Sequence, residues 1–456
     1  MLMTFNEAAS IPGFEILPAP QGGAGSRGFD SVSIDSRDAA PGALFFALAG
    51  ENSDGHAFVK DAFSAGASGA VVEKAKLQTF ALADAARESG GTLILVSDTL
   101  RALQTLAAAY IDRFPGLLRI GITGSSGKTT TKELAAAMIG AERGIVFNDG
   151  NLNSESGLPL SVFRVRASHD VGIFEAGMNR KGEIAELSAV LRPEIALITN
   201  TGSAHAGMIG SERGVALEKK AIFSCFTGKE LALLPEEGVF LSLLSENING
   251  RVGYFGKKSS KKFGGAESRG LFGSKVVWDG KSVDFMLPGE HNLMNALAAA
   301  AIAEAAGVSG EAVRAGLASA KPLFGRGEII PGEFTIVRDC YNANPESMEK
   351  AISLCDGAGW DGRRIYVIGS MLELGGAAAQ AHGALGERLA ASKADLIFLF
   401  GEETKDAYAK LENSKGKFVF HTNNIDELRS KVRNGVKAGD MILLKGSRLC
   451  ALERVI

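Results

Sequence analysis

Short apolar runs alternate with stretches of helical periodicity along most of the chain. Three of these runs cover residues 117–122, 170–174 and 195–199, and a polar turn follows each of them. Apolar runs of this length between turns predict buried strands, and the segments between them, with apolar residues three and four apart, predict helices. Strands that alternate with helices are typical of parallel sheets. The pattern therefore predicts an α/β protein.

The alternation restarts twice, which predicts three domains. Phe114-Pro115-Gly116 is typical of a linker, and a further restart lies near Gly325-Arg326-Gly327. At about 100–200 residues per domain, a chain of 456 residues accommodates three. We predict a small N-terminal α/β domain over residues 1–112, a central parallel-sheet domain of the P-loop ATPase type over 113–325, and a C-terminal Rossmann-like domain over 326–456.

Composition and charge narrow the functional classes. Hydrophobic residues make up 46% and charged residues 22% of the chain, as in ordinary globular proteins, and the net charge of -3 gives no reason for binding nucleic acid. The four cysteines form no Cys-x-x-Cys pair, which favours a reducing compartment over a disulfide framework or a zinc site. The pattern shows no signal peptide and no apolar run long enough to cross a bilayer. We expect a cytoplasmic monomer without stable membrane insertion.

The strongest chemical signal is the stretch Thr-Gly-Ser-Ser-Gly-Lys-Thr-Thr at residues 123–130, the phosphate loop. It lies between an apolar strand and a helical run, so that loop N–H groups and the helix N-terminus can bind phosphate oxygens. The lysine can reach the terminal phosphates and the next hydroxyl can ligate Mg²⁺. The strict Walker A form has glycine at position 122, where this chain has isoleucine. We predict an ATP site, the alternative being an ordinary capped glycine turn. Its residues are Thr123, Gly124, Ser125, Ser126, Gly127, Lys128, Thr129 and Thr130.

Two further polar residues lie at or just after the carboxyl ends of predicted strands. Glu175 ends one strand, and His205 lies in the turn after another. Because ligands gather at the carboxyl ends of parallel strands, we expect both to approach Lys128 and Thr129. A carboxylate and an imidazole beside a triphosphate suit a divalent cation. The simpler interpretations are a solvated strand end for Glu175 and a hydrogen-bonded loop histidine for His205.

In order and together, these motifs resemble those of the Mur ligases, the ATP-dependent amide-bond ligases of cell-wall precursor synthesis. The resemblance runs from about residue 33 to about residue 448 and implies an N-terminal domain that binds a uridine nucleotide. Besides the phosphate loop, it rests on Glu-Ala-Gly-Met at 175–178, Ala204-His205, Lys219 followed by Ile222-Phe223, His-Asn-x-x-Asn at 291–295, Gly325-Arg326 and Leu-Lys-Gly-Ser-Arg at 444–448.

Within this family, the C-terminal motifs are most similar to those of the ligase that adds D-alanyl-D-alanine to UDP-N-acetylmuramoyl-tripeptide. They are Asp339-Cys-Tyr-Asn-Ala-Asn-Pro-Glu-Ser-Met348, Gly369-Ser-Met-Leu-Glu-Leu-Gly375 and His382. The resemblance implies that ATP phosphorylates the tripeptide carboxylate and that the dipeptide amine attacks the acyl phosphate, giving the UDP-linked pentapeptide, ADP and phosphate. The alternatives are a ligase that adds a single amino acid, a folate-glutamate ligase, and a catalytically silent nucleotide-binding scaffold.

The resemblance also implies roles for individual residues. One Mg²⁺ is expected on Thr129 and Glu175 and a second near His205 and Lys219, the lysine being carbamylated by CO₂. The expected catalytic residues are Lys128, Glu175, His205 and Lys219. Further contacts to ATP are expected from Asn292, Asn295, Arg326 and Asp339. Substrate contacts are expected from Ser36, Arg37, Asp54, His56, Asn153, Tyr341, Asn342, Asn344, Pro345, Lys445, Ser447 and Arg448.

Several of these residues also fit plainer structural interpretations. The clusters around Ser36 and His56 have the composition of turns. Paired lysines such as Lys219 and Lys220 usually mark a solvated helix face, and Asn295 fits helix packing.

Overall fold

The computed structural model describes residues 1–17, 27–50, 52–202, 206–412 and 416–456. These residues form two compact units. The first consists of Met1–Gly121, Gly144–Met178 and Glu183–Pro193, and the second of Ile122–Arg143, Asn179–Gly182 and Glu194–Ile456. The division between the units passes through the predicted central domain, so each unit contains a part of it.

The N-terminal part of the first unit is a layered α/β structure. Its apolar runs, such as Ala43–Phe46 and Thr92–Val96, form fully buried strands, and Phe45, Val59 and Leu93 pack together in its core. The elements are β1 (Met3–Thr4), α1 (Phe5–Ala9), β2 (Glu15–Leu17), β3 (Gly28–Phe29), β4 (Ser31–Ser33), β5 (Ala43–Phe46), α2 (Val59–Ser64), β6 (Gly69–Glu73), α3 (Leu82–Ser89), β7 (Thr92–Val96) and α4 (Thr99–Ile111). Over the described residues the main sheet has the order β2-β7-β6-β5-β4, and only the β2–β7 pair is antiparallel.

The central part of the chain supplies elements to both units. They are β8 (Leu118–Thr123), α5 (Lys128–Ile139), β9 (Ile145–Phe147), α6 (Gly157–Val162), β10 (Val171–Glu175), α7 (Glu183–Leu191), β11 (Ile195–Ile198), α8 (Ala206–Ile209), α9 (Glu212–Lys220), β12 (Leu231–Pro235), α10 (Leu241–Ser245), β13 (Arg251–Phe255), β14 (Phe263–Ser268), β15 (Ser274–Trp278), β16 (Lys281–Phe285), α11 (Glu290–Ala305) and α12 (Gly310–Ser319). The start of β8 belongs to the first unit and its end to the second.

Each unit contains a run of these strands in sheet order. In the first unit the order is β8-β10-β9, and the Leu118 N–H donates to the Asp170 carbonyl oxygen at 2.9 Å. In the second unit the order is β13-β12-β11-β8, with the Thr199 N–H donating to the Thr123 carbonyl oxygen at 2.9 Å. Helices α11 and α12 pack on α5. At Gly316 on α12, a Cβ atom would lie only 2.5 Å from the Met138 side chain, so the absence of a side chain permits this close approach.

The C-terminal part of the second unit is a twisted α/β sheet with an apolar core on each face. Its elements are β17 (Glu328–Ile330), β18 (Thr335–Asp339), α13 (Pro345–Gly357), β19 (Arg364–Gly369), α14 (Ala378–Ala390), β20 (Leu396–Phe400), α15 (Lys405–Leu411), β21 (Phe418–Thr422), α16 (Ile425–Gly435) and β22 (Met441–Lys445). In the described part of the chain the order is β17-β18-β22-β19-β20-β21, and only β17–β18 is antiparallel.

The predicted α/β class is confirmed, because the main sheets are largely parallel and helices connect their strands. The boundaries at residues 112 and 325 stay a prediction. No helix within the described ranges is both long and apolar enough to pass through a bilayer.

We expect Arg363→Met to lower the free energy of unfolding by about 1–3 kcal/mol, because it leaves a buried carboxylate without its cation. The Arg363 guanidinium donates to both carboxylate oxygens of Asp440, at 3.0 and 2.6 Å, and the Asp440 side chain is only 3% exposed. Urea unfolding followed by tryptophan fluorescence measures the change.

Lys405→Met is the matched control for this variant. Lys405 pairs with Glu402 on the surface, and such pairs contribute less than about 1 kcal/mol. Equal destabilisation by the two substitutions would contradict the role assigned to burial.

Candidate active site

The phosphate loop has a backbone that requires glycine at two positions. Gly124 and Gly127 have φ angles of +152° and +80°, in the region that L side chains rarely adopt. A Cβ atom would lie 1.9 Å from Thr199 Oγ1 at the first position and 2.2 Å from Asn295 Oδ1 at the second. Just before α5, the loop backbone therefore packs directly against the side chains of Thr199 and Asn295.

The turn after β11 holds the loop in this shape. The Ser126 N–H donates to Asn200 Oδ1 at 3.0 Å, and Asn200 Nδ2 donates back to the Ser126 carbonyl oxygen at 2.9 Å. The Thr199 hydroxyl donates to the same carbonyl oxygen at 2.7 Å, and the Gly202 N–H donates to Ser125 Oγ at 2.9 Å. Sequence reasoning did not assign Thr199 and Asn200 to the site, although their polar turn at a strand end was the available signal.

The lysines of α9 have different environments. Lys219 is 1% exposed, and burial, followed by the positive charge of Lys128, lowers the pKa of Lys219 well below its usual range, against the opposing effect of Glu218. Lys220 instead donates to the carbonyl oxygens of Leu243 and Glu246, at 2.7 and 2.5 Å, at the end of α10. The solvated-face interpretation is therefore wrong for Lys219.

Lys128 lies over the phosphate loop itself. Its Nζ atom donates to the Gly124 carbonyl oxygen at 2.8 Å. Thr129, the next residue, is 6% exposed in the first turn of α5. This arrangement keeps a cation and a hydroxyl at a helix N-terminus, where an anion is stabilised by backbone N–H groups and the helix dipole.

In the first unit, Glu175 is 2% exposed and is therefore not a solvated strand end. Asn153 Nδ2 donates to Glu175 Oε1 at 2.6 Å. The Glu175 N–H donates to Asn148 Oδ1 at 2.9 Å, and Asn148 Nδ2 donates to the Glu175 carbonyl oxygen at 3.0 Å. Asn153, which we expected at the substrate, thus orients this carboxylate. Asn148 was not among the predicted site residues, although it opens the polar turn after β9.

We searched the described part of the chain for side chains that could bind a metal ion. No three His, Cys, Asp or Glu side chains there lie close enough together to hold an ion. The predicted ligand His205 lies outside the described residues. Mg²⁺ is commonly held by one or two carboxylates together with substrate phosphates and water. Thr129 in the second unit has a hydroxyl oxygen and Glu175 in the first unit has carboxylate oxygens, which are ligand types that Mg²⁺ accepts.

A cavity of about 540 Å³ in the second unit adjoins the phosphate loop. Its lining includes Asn200, His291, Asn295 and Lys350. Burial, and then the charges of Lys350 and Lys445, lower the pKa of His291 to about 4, so its ring is neutral near pH 7. Asn295 thus lies at the cavity, and its contact with ATP stays a prediction. Asn292 instead donates to the Pro288 carbonyl oxygen at 2.8 Å.

Arg326 and Asp339 lie together at the end of β18. The Arg326 guanidinium carbon is 4.0 Å from the centre of the Tyr341 ring, and the Tyr341 N–H donates to the Gly325 carbonyl oxygen at 2.9 Å. Asp339 Oδ2 lies 2.8 Å from Lys445 Nζ. Tyr341, expected at the substrate, thus supports Arg326.

The motif after Asp339 begins a helix. Asn344 is the N-cap of α13, its Oδ1 accepts the Ser347 N–H at 2.8 Å, and Pro345 occupies the first turn. Asn342 Oδ1 accepts the Ala343 N–H at 2.8 Å. For Asn342, Asn344 and Pro345, which we expected at the substrate, the structure shows local backbone roles.

The predicted substrate residues at the end of β22 and just after it also have partners within the protein. Ser447 is 4% exposed, and its Oγ accepts the Leu372 N–H at 2.9 Å. Arg448 pairs with Glu453 at 2.5 Å. Lys445 is 2% exposed and buried against Asp339. Within the protein Lys445 and Ser447 thus have supporting roles, and their contact with substrate stays a prediction.

The N-terminal clusters behave as turns. Ser36 begins a short 3-10 turn, and Arg37 is exposed and paired with Asp35. His56 is 1% exposed; its Nδ1 lies 2.6 Å from Asp54 Oδ1, and its Nε2 accepts the Glu73 N–H at 2.8 Å. Both ring nitrogens of His56 therefore have partners inside the fold, and its contact with substrate stays a prediction.

Comparisons with known proteins match the whole length of the chain. The Mur ligase family, catalytic domain, matches residues 29–111; the Mur ligase middle domain matches 122–303; and the Mur ligase, glutamate ligase domain, matches 325–448. The UDP-N-acetylmuramoyl-tripeptide--D-alanyl-D-alanine ligase of Treponema pallidum is 41% identical, with 100% of this chain and 98% of the relative covered. The Bacillus subtilis ligase of the same name is 33% identical over 93% and 92% of the two chains.

Solved structures agree with the sequence relatives. A crystal structure of MurF from Acinetobacter baumannii is 29% identical and covers 99% of this chain and 97% of that chain, with a TM-score of 0.87. MurF ligase from Thermotoga maritima in complex with ADP is 26% identical and covers 93% of this chain and 96% of that chain, with a TM-score of 0.78.

We expect Gly127→Ala to weaken ADP binding about tenfold or more, because it adds strain at positive φ and a clash with Asn295 Oδ1. Isothermal titration calorimetry with ADP measures the change. Gly13→Ala is the matched control, since Gly13 has φ +89° and no described atom lies within 4 Å of its added Cβ. Equal loss of ADP binding in both variants would contradict the loop assignment.

Proposed function

Since the chain belongs to the Mur ligase family, we propose that it joins D-alanyl-D-alanine to UDP-N-acetylmuramoyl-tripeptide at the expense of ATP, in the synthesis of peptidoglycan precursors. The observation that carries the proposal is the 41% identity to the Treponema pallidum ligase, which extends over the full chain. The formed phosphate loop and the buried Lys219 support an active enzyme over a silent scaffold, because burying such groups without a use is unfavourable.

The first chemical step is phosphoryl transfer. A carboxylate oxygen of the tripeptide attacks the γ-phosphorus, the bond to the β,γ-bridging oxygen breaks, and ADP leaves with that electron pair. Such transfers need positioning and charge neutralisation more than covalent help. The N–H groups of the phosphate loop and the Lys128 ammonium are the proposed source of both, because they present positive charge to the transferred group.

The second step forms the amide. The neutral amine of the dipeptide attacks the acyl carbon, and the tetrahedral intermediate expels phosphate as the nitrogen loses a proton. The acyl phosphate is sensitive to water, so the site must exclude water during this step. Arg326 and Asp339 are proposed contacts to the nucleotide, with Asn295 at the adjoining cavity.

Mg²⁺, when bound, would neutralise phosphate charge and orient the oxygens. The residues proposed to hold it are Thr129, Glu175, His205 and Lys219 as its carbamate. The donor chemistry of Thr129 and Glu175 suits a hard cation, since both offer oxygen atoms. Two separate ions, as the family resemblance implies, remain part of this proposal.

Carbamylation would convert Lys219 into such an oxygen donor. The uncharged amine adds CO₂ through a new N–C bond and loses a proton, which leaves an anionic carbamate. Burial and Lys128 favour the uncharged amine, as the lowered pKa of Lys219 indicates, and the positive charge of Lys128 would also stabilise the anionic carbamate. Because the reaction consumes ATP and nucleotide-linked substrates, we propose that it takes place in the cytoplasm. That the enzyme acts as a monomer is a separate part of the proposal.

We expect phosphate release from ATP to require both the UDP-linked tripeptide and D-alanyl-D-alanine, because the acyl phosphate forms on one and is consumed by the other. Phosphate release and mass spectrometry of the pentapeptide product, with each substrate omitted in turn, provide the measurement. Turnover with single amino acids and not with the dipeptide would sink the substrate assignment and leave the ligase class.

We expect Lys219→Ala to lose about 100-fold or more in kcat, with partial recovery in small carboxylates that replace the carbamate. Initial rates with and without added acetate measure both effects. Lys220→Ala is the matched control, because it removes a neighbouring lysine that only holds the end of α10. Rates near wild type in Lys219→Ala, or equal losses in both variants, would refute the carbamate role.

A further inference from the structure

Lys445 and Asp339 end two neighbouring parallel strands of the C-terminal sheet. The register pairs them directly, and Lys445 Nζ lies 2.8 Å from Asp339 Oδ2. The Lys445 side chain is 3% exposed, whereas that of Asp339 is 24% exposed. Lys445 Nζ also donates to the Asn342 carbonyl oxygen at 2.9 Å. Only the carboxylate half of this ion pair therefore reaches the protein surface.

Asp339 also interacts with residues 325–327, here called the linker segment. The Gly327 N–H donates to the Asp339 carboxylate, and the Arg326 charge lies close enough to act on it. The Gly325 carbonyl oxygen accepts the Tyr341 N–H, and Arg326 stacks on the Tyr341 ring. The carboxylate thus lies between a buried ammonium on one side and a backbone segment carrying a proposed nucleotide contact on the other.

We propose that Lys445 is a positioning residue for nucleotide binding: its buried ammonium pairs with the Asp339 carboxylate and holds it beside the linker segment. Lys445 acts through Asp339 and does not itself touch the nucleotide. The inference rests on the proposed function only in that the nucleotide is ATP or its product ADP. It differs from the substrate contact that the C-terminal motif led us to expect.

The electrostatic surroundings support this role. Burial raises the pKa of Asp339, and Lys445 is the largest opposing influence, followed by Arg326 and the Gly327 N–H. Removing the ammonium would raise the pKa further, so Asp339 would take up its proton at a higher pH. Other titratable or charged groups act on this pair or are acted on by it: Arg326, Lys350, His291, Cys340 and Cys355.

His291 is the group most able to imitate this effect. His291 lines the cavity that adjoins the phosphate loop, and the Lys445 charge contributes to the lowered pKa of His291. Loss of Lys445 would therefore raise the pKa of His291 as well. Combining the Lys445 substitution with a substitution of Asp339 separates the effect of Asp339 from that of His291. The double variant lacks the titrating carboxyl and keeps the titrating imidazole.

The experiment is calorimetric titration of the full-length protein with ADP from acidic to neutral pH. The proteins are wild type, Lys445→Gln, and the double variant Lys445→Gln/Asp339→Asn. The affinity of each variant is compared with that of wild type at the same pH, so that the protonation of ADP itself affects both proteins equally. In Lys445→Gln we expect affinity to fall on acidification about one pH unit or more earlier than in wild type. In the double variant we expect this pH dependence to disappear.

Several outcomes would overturn the inference. These are a uniform loss of affinity without a displaced pH dependence, a displacement that persists in the double variant, and a wild type that does not bind ADP. ADP binding with the expected displacement, but without amide formation, would overturn the proposed function and leave this inference standing.

A conservative variant guards against a folding defect in Lys445→Gln. Lys445→Arg keeps the charge, and we expect its pH dependence to match that of wild type. A displacement in Lys445→Arg as large as that in Lys445→Gln would also overturn the inference, since the charge would then not be the cause. Thermal unfolding of each variant verifies that the titrated protein is folded.

Discussion

The site depends on the contact between the backbone of the phosphate loop and the side chains that surround it. Gly124 and Gly127 leave no room for a Cβ, because Thr199 and Asn295 already occupy that space. Asn200 then satisfies both the N–H and the carbonyl oxygen of Ser126. A loop fixed in this way presents its remaining N–H groups without reorganisation, which is the main source of electrostatic stabilisation in enzymes.

Burial of ionisable groups is the second constraint. Lys219, Glu175 and Lys445 are each almost inaccessible to water, and each is held by specific partners or acts on another charge. An unpaired buried charge is strongly destabilising, so such groups persist where the surrounding residues compensate for them. Polar side chains such as Asn153 therefore orient these groups.

The same logic explains neutral residues in the C-terminal motifs. His382 is fully buried, its Nε2 accepts the Met371 N–H at 3.0 Å, and its Nδ1 lies 2.8 Å from the Ala378 carbonyl oxygen. Ser447 accepts the neighbouring Leu372 N–H. Together they fix the turn after β19. Motif residues that mark a family can thus act through backbone geometry, and a motif alone does not separate this role from contact with a substrate.

The alternation of strands and helices, the phosphate loop and the family could be predicted from the amino-acid sequence, because periodicity, glycine spacing and a lysine at a helix start are local properties. The packed fold was needed to show that Lys219 is buried and Lys220 caps a helix, that His56 and Ser447 point inward, and that Lys445 pairs with Asp339. Adjacent lysines, or residues about 100 apart on neighbouring strands, differ in burial and partner only after the chain has packed, and burial and partners set their charge and their chemistry.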